Sequence, residues 1–474
     1  MQPDHDLVES ETEQSVGISS QSATHEGTTS MTKEEVLRLA GEKNVQFVNL
    51  QFTDIVGTLK AVTIPVWKLE EAIDNNVWFD GSSIEGFTRI HESDMFLKPD
   101  LNTFAVIPWT IGAPAGTRAR IICDVFMPDG KPFEGDPRFI LKRQIARAKE
   151  LGYQFNVGPE LEFFLFKKEN GKLVAQPHDE AGYFDQTADA AAEIRQEMAL
   201  ALQAFGIDVE ALHHEVAIGQ HEIGFKYCDA LAGADAAVTL KYALKSVAAR
   251  HDLHATFMPK PIAGINGSGM HVHQSLFTTD NRNAMFDRDG QYSLSETALN
   301  FIAGQMSHIK ALNAIINPTV NSYKRLVIGY EAPVNVAWGQ RNRSVLIRVP
   351  RYTPGREKAV RVEIRCPDPA ANPYLAFAVL LAAGLDGIEK KTQAPPAVEE
   401  DLFDLSPEEI GERGISSVAG NLKEALDALK NDDIVRGAIG EFTFEKFYEA
   451  KMIEWNRYRT SVSQWELDNY LEIH

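Results

Sequence analysis

The stretch GPELEFFLF, residues 158–166, sets two glutamates one residue apart inside an apolar, aromatic run. A β-strand alternates its faces with period two, so Glu160 and Glu162 point the same way. Leu161, Phe163 and Leu165 then fill the opposite, buried face. Two carboxylates held that close repel each other, and burying one without a partner is costly or shifts its pKa. Either something positive sits against them, or the strand lies at an edge with that face in water.

Other stretches carry charge in the same alternating way. NGSGMHVHQSL, residues 266–276, is a small-residue loop running into a strand, with His271, His273 and Ser275 on one face. A His-x-His pair of this kind is either a metal ligand set or a pair of satisfied core residues, and the glycine loop points to close approach of a ligand. HHEVAIGQHEIGF, residues 213–225, places Glu215 and Glu222 around a glycine turn. In RVEIRCPDP, residues 361–369, Arg361, Glu363 and Arg365 alternate with Val362, Ile364 and Cys366. Such a face is either a solvated set of ion pairs or a way of holding an anion and a metal together. NSYKRLVIGYEAP, residues 321–333, reads as a polar loop with Lys324, Arg325 and Glu331. RNRSVLIRVPR, residues 341–351, brings in Arg341, Arg343, Arg348 and Arg351, whose guanidinium forks suit phosphate and carboxylate.

Glu160, Glu162, Glu215, Glu222, Glu363 and His271 form an oxygen-dominated ligand set. Such donors suit Mg²⁺ or Mn²⁺ better than zinc, and this much negative charge suits two ions better than one. There is no Walker A motif and no kinase signature. Paired metals beside arginines that clamp oxyanions are the equipment of phosphoryl transfer. Read alone, the residues reach a metal- and nucleotide-dependent enzyme with its acceptor unnamed.

The bulk numbers agree with an enzyme of this kind. The chain has 474 residues, 44% apolar and 24% charged, with a net charge of −20. That charge argues against general nucleic-acid affinity or an anionic membrane surface, and no apolar run is long enough to span a membrane. Cys123, Cys228 and Cys366 are scattered, which argues against a zinc ribbon or disulfide framework and fits a cytoplasmic setting. Residues 1–30 hold six acidic residues and no Lys or Arg, and read as a disordered acidic tail.

From Met31 the pattern is regular. TKEEVLRLAGEK predicts a capped helix, and VQFVNLQFTD, GTLKAVTIP, NTFAVIPW and ARIICDVFMPDG predict strands. Asp136 and Pro137 then open a helix, and long helices are expected at roughly 187–205, 231–252, 294–316 and 372–390. The boundary falls between 128 and 135, with a large α+β domain after it.

These blocks, in this order, resemble glutamine synthetase of the bacterial and archaeal type I. The resemblance runs from about residue 31 to 474 and rests on FDGSSIEGF, ESDM, GPELEFF, HHEV, GQHE, NGSGMH, NPTVNSYKRL, GYEAP, RNRS and PDPAANPYLA. It implies an α+β chain with a small β-grasp-like N-terminal domain at 31–130, followed at 131–474 by a large catalytic α/β domain built on a curved antiparallel sheet. The implied reaction joins ammonia to L-glutamate at the expense of ATP, through γ-glutamyl phosphate, with two divalent cations per site.

By the same resemblance, Glu162, Glu215 and Glu222 hold the tighter metal, and Glu160, His271 and Glu363 hold the one that travels with the nucleotide. Arg343, Arg348 and Arg361 contact ATP and the moving phosphoryl group, with His273 and Ser275 near the nucleotide. Arg325, Arg365, Asn266 and Gly267 hold glutamate. Glu331 lies on a flap over the intermediate, and Asp80, with Ser83 on the same turn, binds ammonium and takes its proton. The implied assembly is a dodecamer of two stacked rings with active sites between subunits, tied together by the C-terminal SQWELDNYLEIH.

The sequence also departs from the family pattern. Phe403 in DLFDLSPEE stands where many relatives carry the tyrosine that accepts an adenylyl group, so control would resemble the glutamine-feedback branch, with Arg89 taking part. Leu161, Ile218, Gly224 and Ile328 replace two prolines, an aspartate and a proline near the ligands and the flap, so turnover and ammonium affinity are where a difference is expected.

Overall fold

The structure is a computed structural model that describes residues 30–82, 84, 94–330 and 332–474. The acidic tail, Ser83, Arg89 and Glu331 therefore lie outside the described residues.

Thr32 caps the first helix, α1 (Lys33–Glu42), in a reciprocal box with Glu35. After it come β1 (Val45–Thr53), β2 (Leu59–Pro65), α2 (Leu69–Asn75), β3 (Val77–Asp80), β4 (Asp94–Pro99), β5 (Ala105–Val106) and β6 (Thr117–Phe126). The sheet order is β2-β1-β6-β4-β3, with β5 against β6 and one parallel pair, β1 with β6. The first two strands meet at a turn closed by Gly57 N–H to Asp54 O. The strand expected for NTFAVIPW is only two residues long here. Asp100 caps a 3-10 turn at Leu101–Thr103 and Pro108 opens another, so the chain turns before it can extend the ladder.

The second unit opens with α3 (Pro137–Glu150), N-capped by Asp136 with Pro137 in its first turn. Then follow β7 (Tyr153–Glu169), β8 (Lys172–Pro177), α4 (Ala192–Ala204), β9 (Val209–His214), β10 (Gln220–Phe225), β11 (Cys228–Asp229), α5 (Ala230–Arg250), β12 (Leu253–Thr256) and β13 (Met270–Thr278). Next are α6 (Glu296–Ser307), α7 (Ile309–Ile316), α8 (Ser322–Arg325), β14 (Asn335–Gly339), β15 (Val345–Arg348), β16 (Val362–Ile364) and α9 (Pro373–Lys390). The chain closes with α10 (Pro407–Glu412), α11 (Leu422–Lys430), α12 (Asp433–Ile439), α13 (Glu441–Arg459) and α14 (Gln464–Tyr470). The helix expected over 294–316 is two helices, broken at His308, whose ring is held between Asp386 and Asp432.

The large sheet has ten strands in the order β14-β15-β16-β13-β7-β10-β9, with β8, β11 and β12 also paired to β7. It is curled and antiparallel except for β14 with β15, which run parallel. The long strand β7 is its spine. Leu161, Phe163 and Leu165 are buried in the main core with α5, α6 and α9. Phe164 and Phe166, on the glutamate face of β7, form a separate cluster with Ala217, against which Ile262 and Ile265 pack. Thus α9 lies under the sheet and is buried from Pro373 to Gly387. It crosses α6 so closely that a Cβ on Gly304 would sit 2.2 Å from Ala383 O.

Two features join the small sheet to the large one. Arg138 on α3 is 3% exposed and reaches Asp100 at 2.7 Å, Asp124 at 2.8 Å and Asp235 at 2.9 Å. Asn372 caps α9 and also donates to Asp54 O at 3.0 Å. Among the described residues, no helix is long and apolar enough to cross a membrane.

Candidate active site

The pairing register of β7 sorts its two glutamates. Glu160 stands opposite His271 of β13 on one side and Gly224 of β10 on the other, while Glu162 stands opposite Glu222 of β10. Each glutamate therefore heads a different group of ligating side chains, although only Leu161 separates them.

The first group lies next to Glu162, which feels the charge of both the group's glutamates. It contains Glu215, Glu222 and His213, a histidine the sequence reading passed over. His213 Nδ1 is 3.4 Å from Glu215 and its Nε2 is 3.6 Å from Glu222. His213 lies two residues before Glu215, so the period-two rule used for Glu160 and Glu162 would have found it. Glu162 accepts hydrogen bonds from Gly269 N–H at 2.8 Å and Gln220 Nε2 at 3.0 Å. Burial, then the charges of Glu215 and Glu222, push its carboxyl up to about 8. So much negative charge with so few cationic partners fits a divalent cation, and every carboxylate donor is a hard oxygen.

The second group is Glu160, His271 and Glu363. Glu363 is fully buried and bracketed by two arginines: Arg348 Nε donates to Oε2 and Arg365 Nη1 donates to Oε1 at 2.9 Å. Burial alone would raise the Glu363 pKa, but His273, Arg365, His271 and Arg348 outweigh it and hold the carboxyl low. Glu160 behaves alike: burial opposes its charge, and hydrogen bonds from His271 and His273 overcome that. His273 Nδ1 accepts from Arg361 Nε at 3.1 Å, so its proton is on Nε2, which donates to Glu160 at 2.9 Å. His273 is thus tied to Glu160 and Arg361 together. Burial, then Arg365, depress the His271 pKa, which leaves a neutral imidazole suited to a cation.

Between the groups lies a pocket lined by Glu162, Glu215, His271, Asn266, Gly267, Arg325 and Arg365, with Tyr330 and Ala332 also in its lining. Arg325 is held by three carbonyls, donating to Cys366 O at 2.7 Å, Pro367 O at 3.2 Å and Arg365 O at 3.1 Å. Arg365 Nε is buried and has no hydrogen-bond partner, a donor suited to an anion entering the pocket. Gly267 is required by sterics: a Cβ there would lie 2.2 Å from Pro259 O.

In a third group of possible ligands, Asp179, His214 and His221, the first two and His221 Nδ1 are engaged in hydrogen bonds, while His221 Nε2 is buried without a hydrogen-bond partner. Asp179 accepts from His214 Nε2 at 2.9 Å and from Gly219 N–H at 3.2 Å. His221 Nδ1 accepts from Arg195 at 3.0 Å. These bonds brace the β9–β10 hairpin behind Glu215 and Glu222.

Not every expected residue is gathered here. Asp80 is exposed at the end of β3, with Ser82 N–H donating to it at 2.8 Å, and it does not line the pocket. Arg343 is exposed, and Ser275 is buried on β13 opposite Asn156. Of the departures, Leu161 is fully buried, Ile328 is exposed, and a Cβ on Gly224, which pairs with Glu160, would meet Ala211 O in ordinary contact at 3.9 Å.

Residues 134–470 match the family described as glutamine synthetase, catalytic domain, and residues 44–128 match glutamine synthetase, beta-Grasp domain. The glutamine synthetase of Thermus thermophilus is 52% identical over 447 residues, covering 94% of this chain and 99% of the relative. That of Clostridium saccharobutylicum is 53% identical over 442 residues, covering 93% and 98%. Among solved structures, one described as a GmaS/ADP complex superposes with a TM-score of 0.84 at 34% identity, covering 92% of this chain and 99% of that one. Plasmodium falciparum glutamine synthetase gives 0.82 at 26% identity, covering 93% and 99%.

Proposed function

From the premise that the chain belongs to the glutamine synthetase family, we propose that this pocket joins ammonia to the γ-carboxylate of L-glutamate through γ-glutamyl phosphate, with two divalent cations per site. The observation that carries this reading is the split of ligands across β7: one carboxylate-rich group around Glu162, another around Glu160 and Glu363, and anion-seeking arginines between them.

Glu162, Glu215 and Glu222 would hold one cation, and Glu160, His271 and Glu363 the other; Mg²⁺ or Mn²⁺ suits these donors. Bound there, the cations would neutralise charge on the transferring phosphoryl group. Arg325, Arg365, Asn266 and Gly267 orient glutamate so that a γ-carboxylate oxygen faces the γ-phosphorus of ATP. That oxygen forms the new P–O bond as the bond to ADP breaks, and Arg343, Arg348 and Arg361 offset the charge on the phosphoryl oxygens. Asp80 takes one proton from ammonium, the freed lone pair attacks the acyl carbon, and the C–O bond to phosphate breaks as the nitrogen gives up a second proton to the departing phosphate. Glu331 and its GYEAP loop keep water from the acyl phosphate, and Ser83 is assigned to the ammonium side with Asp80.

The exposed position of Asp80, away from the pocket of its own chain, supports a site completed by the small domain of a neighbouring subunit in a homo-oligomer, for which we propose the dodecamer. We assign the small domain to residues 31–130 and the catalytic domain to 131–474. His273 and Ser275 are assigned to the nucleotide side. Phe403 offers no hydroxyl for adenylylation, so regulation by glutamine through Arg89 is the matching proposal.

The test is phosphate release with ATP, glutamate and Mg²⁺, with and without ammonium, on wild type and Asp80→Ala. Ammonium-dependent release that collapses in the variant is expected. Release indifferent to ammonium would refute glutamine synthesis and point to another amine acceptor.

A further inference from the structure

Lys260, in TFMPKPIAGINGSG, belongs to neither ligand group, yet it contacts two of the segments that line the pocket. It is 8% exposed, and burying an ammonium is expensive unless its donors are used. They are used on both segments. Nζ donates to the carbonyl of Ile265, the residue before Asn266, and it also lies 3.7 Å from the centroid of the Tyr330 ring. A desolvated cation over an aromatic face is a strong form of this contact.

The lysine backbone is fixed as well. Asn321 Oδ1 accepts from Lys260 N–H at 2.7 Å, and Asn321 Nδ2 donates to Lys260 O at 3.0 Å. The preceding residue abuts the glycine loop: Pro259 O accepts from Ser268 N–H at 2.8 Å and leaves no room for a Cβ on Gly267. The Tyr330 side needs an anchor. Gly329 adopts φ +93°, Ile328 is exposed, and Tyr330 O accepts from Ala332 N–H at 2.6 Å in a tight turn.

We propose that Lys260 is a positioning residue for the glutamate pocket: by tying the Ile265 carbonyl to the face of Tyr330, it sets the separation between the Asn266–Gly267 wall and the Tyr330–Ala332 wall. The proposal rests on reading this pocket as the glutamate site. It acts through both loops and touches no substrate. Because His273 and Arg361 are held on β13 and beside β16, the nucleotide side is independent of it.

The test measures KM for glutamate and for ATP, together with kcat and the thermal midpoint, in wild type, Lys260→Met, Lys260→Arg, Tyr330→Leu and the Lys260→Met/Tyr330→Leu double variant. Lys260→Met keeps the stem and removes the charge, so glutamate KM rises about tenfold or more while ATP KM stays within about twofold. Lys260→Arg, which keeps a cation and donors, recovers most of the loss. The double variant is no worse than Tyr330→Leu, because both remove the same brace. Glutamate KM within twofold of wild type in Lys260→Met overturns the proposal, and so does a rise in both KM values that follows a fall in thermal midpoint. Should Lys260→Met fail to fold, an unchanged glutamate KM in Tyr330→Leu overturns it equally. A wild-type enzyme whose turnover does not depend on glutamate would refute the reading of the pocket itself, which separates that failure from a failure of Lys260 alone.

Discussion

Replacing Arg138 with methionine keeps most of its bulk and removes the charge that joins the two sheets. Three carboxylates converge on it: Asp100 after β4, Asp124 on β6 and Asp235 on α5. Asp124 would keep Lys142 at 2.6 Å, and Asp235 would keep the Tyr374 hydroxyl at 2.6 Å. Asp100 and Asp235 would lose the cation that neutralises them in a region mostly closed to water. Removing one partner of a buried ion pair costs about 3–5 kcal/mol, which corresponds to a rise of roughly two to four orders of magnitude in local opening. Hydrogen–deuterium exchange of peptides covering β1 and β6, compared with β7 and β13, reads that quantity directly and remains valid in an oligomer. Protection in the small sheet is expected to fall by about 10²–10⁴, with the β7–β13 ladder little changed. The effect also has a pH signature. Burial raises the Asp124 pKa, but Arg138 and Lys142 outweigh it and depress the folded value. A depressed carboxylate contributes stability above its unfolded pKa and loses it as pH falls through the folded one. The gap between wild type and variant should therefore be full at neutral pH and narrow below about pH 4. A change under tenfold, or an equal change in both sheets, would sink the idea that Arg138 is the joint.

Gly267→Ala should raise glutamate KM at least tenfold, since the added Cβ would meet Pro259 O at 2.2 Å; steady-state kinetics showing an unchanged KM would contradict the steric argument. Glu222→Gln should weaken one of two divalent-ion binding events by at least roughly 10–100-fold, the loss typical when even a residue behind a ligand is changed. Calorimetric titration would show it, and two unaltered events would remove Glu222 from the ligand set. His308, hydrogen-bonded to Asp432 at 2.7 Å and Asp386 at 3.1 Å, has its pKa raised chiefly by Asp432. Its stabilisation is complete below the unfolded value of about 6.5 and fades as pH rises through the folded one. The thermal midpoint of His308→Asn should thus trail wild type most near pH 6 and approach it in alkali; a constant gap would count against the ion pairs.

Period-two alternation is the part of this molecule that sequence makes legible. It assigns faces along β7, β13 and β16, and with them most of both ligand groups. What it misses is set by tertiary contacts. His308 looks like an ordinary helix residue until Asp386 and Asp432 close on it and split the helix. NTFAVIPW has strand-forming residues, but the Asp100 cap and Pro108 turn it aside. Lys260 lies outside every alternating run, and only the return of the 321–332 segment gives it a role. Leu161, by contrast, sits between the two glutamates with its side chain fully in the core, as the alternation requires.

Because β7 is hydrogen-bonded on both sides, the spacing between Glu160 and Glu162 is a length of backbone, two residues of rise or about 6.6 Å. Side chains can swing, but this interval cannot be stretched or shortened by any single substitution. Losing one residue upstream within the strand would turn both glutamates towards α9 and bring leucine and phenylalanine to the surface of the site. The centre is therefore built like a calliper locked at one setting. Substitutions at the ligand positions can alter what grips each jaw, while the gap between the jaws is fixed by the backbone.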